Sequence, residues 1–387
     1  MQCLGAHYNG CGAIRRRFSH NDRMTQRYRA GLLALLLLGM AGCARAADNR
    51  LFLYNWSDFI GTGTIERFEQ RTGIKVVYDT YDAEETMDAR LLAGESGYDV
   101  VSASSNFSGR EIKAGVYLPL DKSKLPNWKH LDPRFLALLD ASDPGNRHGV
   151  PYMQAINGFA YNVDEIRARM PDAPVGSLDL IFKPGVIARF ADCGVTFLDS
   201  PEDVLQLALI YLHLDPNTTR PADYAAAEQL LMKVRPYVRN FDSIEYMTAL
   251  ANKEVCIAMS WSADYATIMA RARAAGAPVH LAFTVPSEGA MQTYSSFLMP
   301  VGAPHPEAVY AFLNYIMDPQ VIAGITNEIH YGNGNLAANA WVRPEILNDP
   351  SLYPTPDLEA RLYPNEESSI TTQRIRTRVW TRIKTGK

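Results

Sequence analysis

Two short segments far apart in the chain carry the same set of side chains: Asn55-Trp56-Ser57-Asp58 and Trp261-Ser262-Ala263-Asp264. Each puts an indole, a hydroxyl and a carboxylate within a few residues. An indole face attracts an ammonium group and covers methylene groups, and a carboxylate supplies counter-charge once water is excluded. Together they suit a slender aliphatic cation. Each residue also has a plainer role: Trp56 or Trp261 alone is most often core, and Asp58 or Asp264 alone is most simply a helix N-cap. It is the recurrence that points to a site.

Both segments stand where an apolar strand ends. LFLYN (51–55) precedes the first, and EVCIAMS precedes the second, which opens the helical run DYATIMARA. Around the first segment the pattern alternates. TIERFEQRTG predicts a helix stopped by Gly73, and IKVVYDTY a strand. DAEETMDARLLAG predicts a helix capped by Asp82 with Glu85 three residues on, an apolar Met87/Leu91 pair, and an end at Gly94; YDVVSAS is a buried strand. Such alternation implies βαβ units. The expected class is α/β, an open and mainly parallel sheet flanked by helices, with ligands bound beyond the carboxyl ends of the strands.

GVPYMQAINGFAYN (149–162) reads as a crossing between lobes. A second α/β lobe follows, with CGVTFLD, a helix opened by SPEDV, the helical DYAAAEQLLMKV, and EVCIAMSW as a short buried strand. AFTVPSEGAMQTYSSFLMP (282–300) reads as the end of a strand and a return to the first lobe. The predicted boundaries are 1–47 as a leader, 48–153 with 270–325 as lobe one, and 154–269 with 326–387 as lobe two. A cleft between two such lobes would receive both segments. Ser200-Pro201-Glu202-Asp203 reads first as a helix start, which makes any ligand role of Asp203 secondary. HYGNGN (330–335) is a Gly-rich turn carrying Tyr331.

The 387 residues are 47% hydrophobic and 21% charged, enough for two packed cores and too apolar for disorder. From Met24 a basic RYR, the apolar AGLLALLLLGMAG and the small residues around ARA follow the layout of a secretory signal. Cleavage after Ala46 fits that layout. GMAGC offers the alternative of a lipid anchor at Cys43. Without residues 1–47 the chain keeps 31 basic and 41 acidic residues, a net charge of about −10. That balance disfavours nucleic acid and favours cations. Cys193 and Cys256 then remain; an even count in an exported chain favours a bond between them over two buried thiols.

Signatures of catalysis are scarce: no Gly-x-Ser-x-Gly, no Cys-x-x-Cys, no His-Glu-x-x-His and no phosphate loop. The eight His lack ligand spacing, so neither a metal nor a cofactor is expected. The basic tail TTQRIRTRVWTRIKTGK, with Ile375, Val379 and Ile383 at helical spacing, predicts a docked terminal helix with solvated Arg.

YNWSD, TGIKVVYD, AGVYLPLDKSKLPNW, PYM, CGVTFLDSPEDV, PSEGAM, FLNYIMDP and RTRVWTRIKTGK carry a resemblance over residues 51–387. In these the chain resembles the periplasmic polyamine-binding proteins of ABC transporters, the putrescine binders in particular. The resemblance implies a two-lobed (type II) binding-protein fold that closes over its ligand. It implies that Trp56 and Trp261 cover the alkyl chain, that Ser57 and Asp58 line one side, and that Asp264 pairs with an ammonium. Ser104 and Tyr331 match pocket residues, Asp203 stands where the putrescine binder has a Glu, and Cys193 and Cys256 match a disulfide.

One departure stands out. After PSEGAM the family has an aromatic residue and, two positions later, an Asp that holds a terminal ammonium; here those positions are Thr293 and Ser295. A buried ammonium without its counterion costs about 2–5 kcal/mol. Either Glu202, Asp203 or another acid takes over, or the ligand carries no ammonium at that end, as in 4-aminobutyrate or 5-aminovalerate. The expectation is therefore a monomeric periplasmic solute-binding protein that hands putrescine or a related amine to an inner-membrane ABC permease. The alternative from another class is an enzyme on the same two-lobed frame.

Overall fold

The computed structural model describes residues 49–386 apart from 95, 275, 277 and 278. The expected leader, its start at Met24 and Cys43 lie outside the described residues. Among the described residues no helix is long and apolar enough to cross a membrane.

The first half builds as its pattern predicts: β1 (Arg50–Trp56), α1 (Thr64–Thr72), β2 (Lys75–Tyr81), α2 (Glu84–Leu92), β3 (Val100–Ser104) and α3 (Ser105–Lys113). Gly73 ends α1 in the left-handed region at φ 72°, where a side chain would be strained. The start of α2 differs from expectation. Ala83 holds the N-cap position, no side chain caps the helix, and Asp82 is exposed at the edge of a cavity.

β4 (Gly149–Asn162) is the crossing strand. Its first half pairs antiparallel with β9 (Ala290–Leu298), and its second half with β7 (Ile257–Trp261) and β8 (Leu281–Thr284). Val150, Tyr152 and Met153 pack in one core with Leu51, Val100, Phe297 and Phe312. Phe159, Ala160 and Tyr161 pack in another, with Val195, Leu207, Ile257 and Trp380. One strand thus serves two lobes. At Gly158 β8 approaches so closely that a Cβ would overlap the Thr284 carbonyl oxygen, so only glycine fits.

The second lobe adds β5 (Val195–Phe197), α4 (Pro201–Tyr211), β6 (Asn240–Phe241), α5 (Asp264–Ala274) and the terminal α6 (Ile370–Thr385). The strand order is β2-β1-β3-β9-β4-β7-β5-β6, with β10 (Gly332–Asn333) and β11 (Leu362–Pro364) attached to β4 and β9. The outer ladders β2-β1-β3 and β7-β5-β6 are parallel. The central ones, β3-β9-β4-β7, are antiparallel, because the two crossing strands run in opposite senses. The sheet is therefore mixed, parallel towards the edges of each lobe.

Two segments pack differently from the boundaries expected. Ile329, Ala338, Val342, Ile346 and Leu352 join the core of the first lobe, whereas Leu281 and Met291 join that of the second. The final helix does join the second lobe through Val379, Trp380 and Ile383. Its Arg376, expected in solvent, is only 4% exposed and donates from Nη1 to Glu202 Oε1 at 2.6 Å. Cys193 and Cys256, on the approaches to β5 and β7, are disulfide-bonded with Cα atoms 5.5 Å apart.

Candidate functional site

The carboxyl ends of parallel strands from both lobes open onto one cavity of about 300 Å³. All ten residues singled out from the sequence border it: Trp56, Ser57, Asp58, Ser104, Asp203, Trp261, Asp264, Thr293, Ser295 and Tyr331. A larger groove of about 590 Å³, lined by Tyr265, Leu281, Asp349 and Arg361 among others, contains none of them.

β1 ends in Trp56, whose ring packs on Tyr81 at a centroid distance of 4.6 Å. The chain leaves the strand through Asp58, in the left-handed region at φ 54°, a conformation that Asp tolerates better than most residues. Trp261 ends β7 and packs against the second core, while its Nε1 donates to Asp203 Oδ1 at 3.3 Å. Neither indole disappears into its core: both stay half-buried at the cavity wall.

The acids fall into two groups. Asp264 opens α5 and accepts from two phenols, Tyr331 at 3.1 Å on Oδ1 and Tyr246 on Oδ2. Burial, and then the Asp264 charge, push both phenols well above their usual range, so each stays a hydrogen-bond donor. Asp58 adds to the field on Tyr331, which places both aspartates at that pole.

At the other group, Asp203 is held from three sides. Ser200 Oγ donates to Oδ2 at 2.7 Å, and Asn157 Nδ2 and Trp261 Nε1 donate to Oδ1. The expected cap is present as well, since Asp203 N donates to Ser200 Oγ at 3.3 Å. Glu202 accepts from Arg376 and, on Oε2, from Asn106 Nδ2 at 2.7 Å. Burial raises both carboxyls above the usual range; Arg376 opposes this at Glu202, and the hydrogen bonds from Ser200, Asn157 and Trp261 oppose it at Asp203.

Ser104 ends β3 and pairs across the sheet with Ser295 of β9, so the two hydroxyls share one face. Thr293 lies two residues along the same strand and accepts at Oγ1 from Asn365 Nδ2 at 3.3 Å. No acid of β9 stands there. One does arrive from elsewhere: Glu84, in the first turn of α2, accepts from Ser104 N at 2.6 Å and bonds to Ser104 Oγ.

Glu84, Asn106, Glu202 in its ion pair, Asn365 and Arg376 were missed by the sequence reading. Glu84 was hidden beside Asp82 and Glu85, which make a better capping pattern. For Arg376 a signal existed: Arg376, Val379, Trp380 and Ile383 form a single helical stripe, so the guanidinium shares a face with the docked residues.

The arrangement can clamp an elongated cation, with an indole and acids from each lobe at the cavity wall. Comparisons with known proteins agree with that geometry. The family model described as bacterial extracellular solute-binding protein matches residues 63–354. The putrescine-binding periplasmic protein SpuD of Pseudomonas aeruginosa is 47% identical over 94% of this chain and 100% of its own. The putrescine-binding periplasmic protein PotF of Escherichia coli is 42% identical over 94% of this chain and 99% of its own. Among solved structures, the spermidine/putrescine ABC transporter substrate-binding protein PotD of Streptococcus pneumoniae superposes with a TM-score of 0.73. It is 23% identical, over 87% of this chain and 99% of that one, and shares the fold.

Proposed function

This chain belongs to the bacterial extracellular solute-binding protein family, and on that premise we propose that it captures putrescine or a closely related polyamine between its lobes. The observation that carries the reading is the single cavity bordered by Trp56 and Trp261 with acids from both lobes. The indoles cover the methylene chain and the carboxylates face the ammonium ends. SpuD and PotF, named for putrescine, support the same ligand class.

The protein holds its ligand without altering it and presents it to an ABC permease as a monomer in the periplasm. The mature chain starts after Ala46, or at Cys43 if that residue is acylated; the mass of the exported protein distinguishes the two. A diamine is preferred to an ω-amino acid because the relatives SpuD and PotF are both named for putrescine.

Titration calorimetry with putrescine, cadaverine, spermidine, agmatine, 4-aminobutyrate and 5-aminovalerate tests the reading. Binding of a diamine or polyamine in preference to the amino acids is the expected result. Binding of the amino acids alone would reassign the ligand, and mass spectrometry that found an altered amine would replace capture with catalysis.

A further inference from the structure

The Ser104 hydroxyl has one proton and two neighbours that both require one. Its Oγ lies within bonding distance of a Glu84 carboxyl oxygen and 2.5 Å from Asn106 Oδ1. Asn106 has no freedom to turn, because its Nδ2 donates to Glu202. With Glu84 ionised, one O–H would face two acceptors. The count closes when Glu84 carries a proton: its O–H donates to Ser104 Oγ, whose own O–H donates to Asn106.

The surroundings agree. Glu84 is 7% exposed, and burial pushes its carboxyl up to about 8 against the hydrogen bonds from Ser104, with the charges of Glu111 and Glu202 adding to the effect of burial. The groups facing it are Tyr81 from β2, Ser104 from β3, Asn106 and Glu111 from α3, Tyr117 just beyond α3, and Glu202 from α4. Among the described residues no Lys or Arg pairs with Glu84, and the nearby Arg376 is engaged by Glu202 and Tyr224. The other acids of this group are taken: Glu202 by Arg376 and Asn106, Asp203 by Ser200, Asn157 and Trp261.

We propose that Glu84 is the specificity-determining acid at the Ser104–Ser295 edge: it holds a proton in the unliganded protein and releases it to bulk water when the second ammonium of a diamine arrives, leaving a carboxylate–ammonium pair. This rests on the polyamine reading above. It accounts for a cation subsite at a strand position that offers only hydroxyls. It also makes capture proton-linked, so that affinity for a diamine rises with pH up to about 8.

The test is calorimetry of putrescine binding at pH 7 in phosphate and in Tris, whose ionisation heats differ, on the wild type and on Glu84→Gln. The wild type should release close to one proton and the variant none. Putrescine affinity should fall about tenfold or more at pH 8 in the variant, while affinity for 4-amino-1-butanol, with one ammonium replaced by a hydroxyl, changes less than about threefold.

Adding Ser295→Asp to Glu84→Gln should restore putrescine affinity by returning a carboxylate to the same edge, and this rescue separates a charge role from a packing one. Equal proton release in both proteins, equal losses on both ligands, or no rescue would overturn the inference while leaving the polyamine reading in place. A wild type that binds no diamine would end both. If Glu84→Gln does not fold, as judged by circular dichroism, the same comparison is read from Ser295→Asp alone. With Glu84 already serving the subsite, that variant should gain less than about threefold on putrescine, and a large gain would overturn the inference.

Discussion

Asn106 Nδ2 lies 2.7 Å from Glu202 Oε2, joining the first turn of α3 in one lobe to the first turn of α4 in the other. The same Glu202 is tied within its own lobe to Arg376 on the terminal helix, so one carboxylate joins α4 and α6 and, across the cleft, α3. Two-lobed binding proteins move as hinged halves, and contacts of this kind exist only in the closed arrangement.

Replacing Asn106 with Ala should therefore loosen the closed state. A hydrogen bond to a charged group contributes about 1.5–3 kcal/mol. The expected outcome is putrescine binding weakened by roughly 10-fold or more, carried mainly by faster dissociation, as stopped-flow fluorescence would read. An unchanged dissociation rate would mean that Asn106 only orients Ser104.

The two indoles should not be equivalent. Trp56 offers a ring face, whereas Trp261 also donates from Nε1 to Asp203. Trp56→Leu should weaken diamine binding by about 0.5–2 kcal/mol through the lost cation–π and stacking contact. Trp261→Phe keeps a face and removes the donor, so its loss reports the value of orienting Asp203. Calorimetry on the pair, with Trp261→Leu as the full deletion, checks the division.

Stability of the unliganded protein should fall as pH rises. Burial raises Glu84 to about 8 and Glu111 to about 7, and raises Glu202 and Asp203 as well, above the 3.8–4.5 of the unfolded chain. A carboxyl raised in this way binds its proton more tightly when folded. Its contribution is full below about pH 4 and is lost as pH climbs through the raised value. Each such group contributes at most about 1.4 kcal/mol per pH unit within its window. Thermal unfolding from pH 5 to 9 should show a declining Tm, a shallower decline in Glu84→Gln, and the largest gain from added putrescine at the alkaline end. A Tm that rose with pH would contradict the whole group.

The Cys193–Cys256 bond closes a loop with a sequence separation of 63 residues between the approaches to β5 and β7. In the chain-entropy view a loop of that length is worth about 4 kcal/mol. The double replacement by Ala should lower the Tm by several degrees and leave ligand preference unchanged, since the bond lies in the second lobe away from the cavity lining. A changed preference would show that it also sets the position of Trp261.

Local pattern was sufficient for much of this molecule. Gly73 at the end of α1, Ser200-Pro201 at the start of α4 and the indoles at the ends of β1 and β7 are decided by residues within a turn of one another. Trp56, Ser57, Asp58, Trp261 and Asp264 were legible because strand ends are local features and parallel strands present their carboxyl ends together, whereas Ser104, Asp203, Thr293, Ser295 and Tyr331 came from the family resemblance. Asp82 failed as a cap for an equally physical reason: α2 begins at Glu84, whose carboxyl is drawn to Ser104, and Asp82 is left at the cavity mouth.

The sequence by itself determined the α/β alternation, the crossing strand, the cysteine pair and two aromatic–acidic segments aimed at a common cleft. Only the tertiary structure decided which charges face that cleft. Glu84 meets Ser104 across 20 residues, Asn106 meets Glu202 across 96, and Arg376 meets Glu202 across 174. Helix caps and apolar periods are written within a few residues, but a buried carboxyl takes its partner, and therefore its proton, from whatever the packed sheet brings beside it.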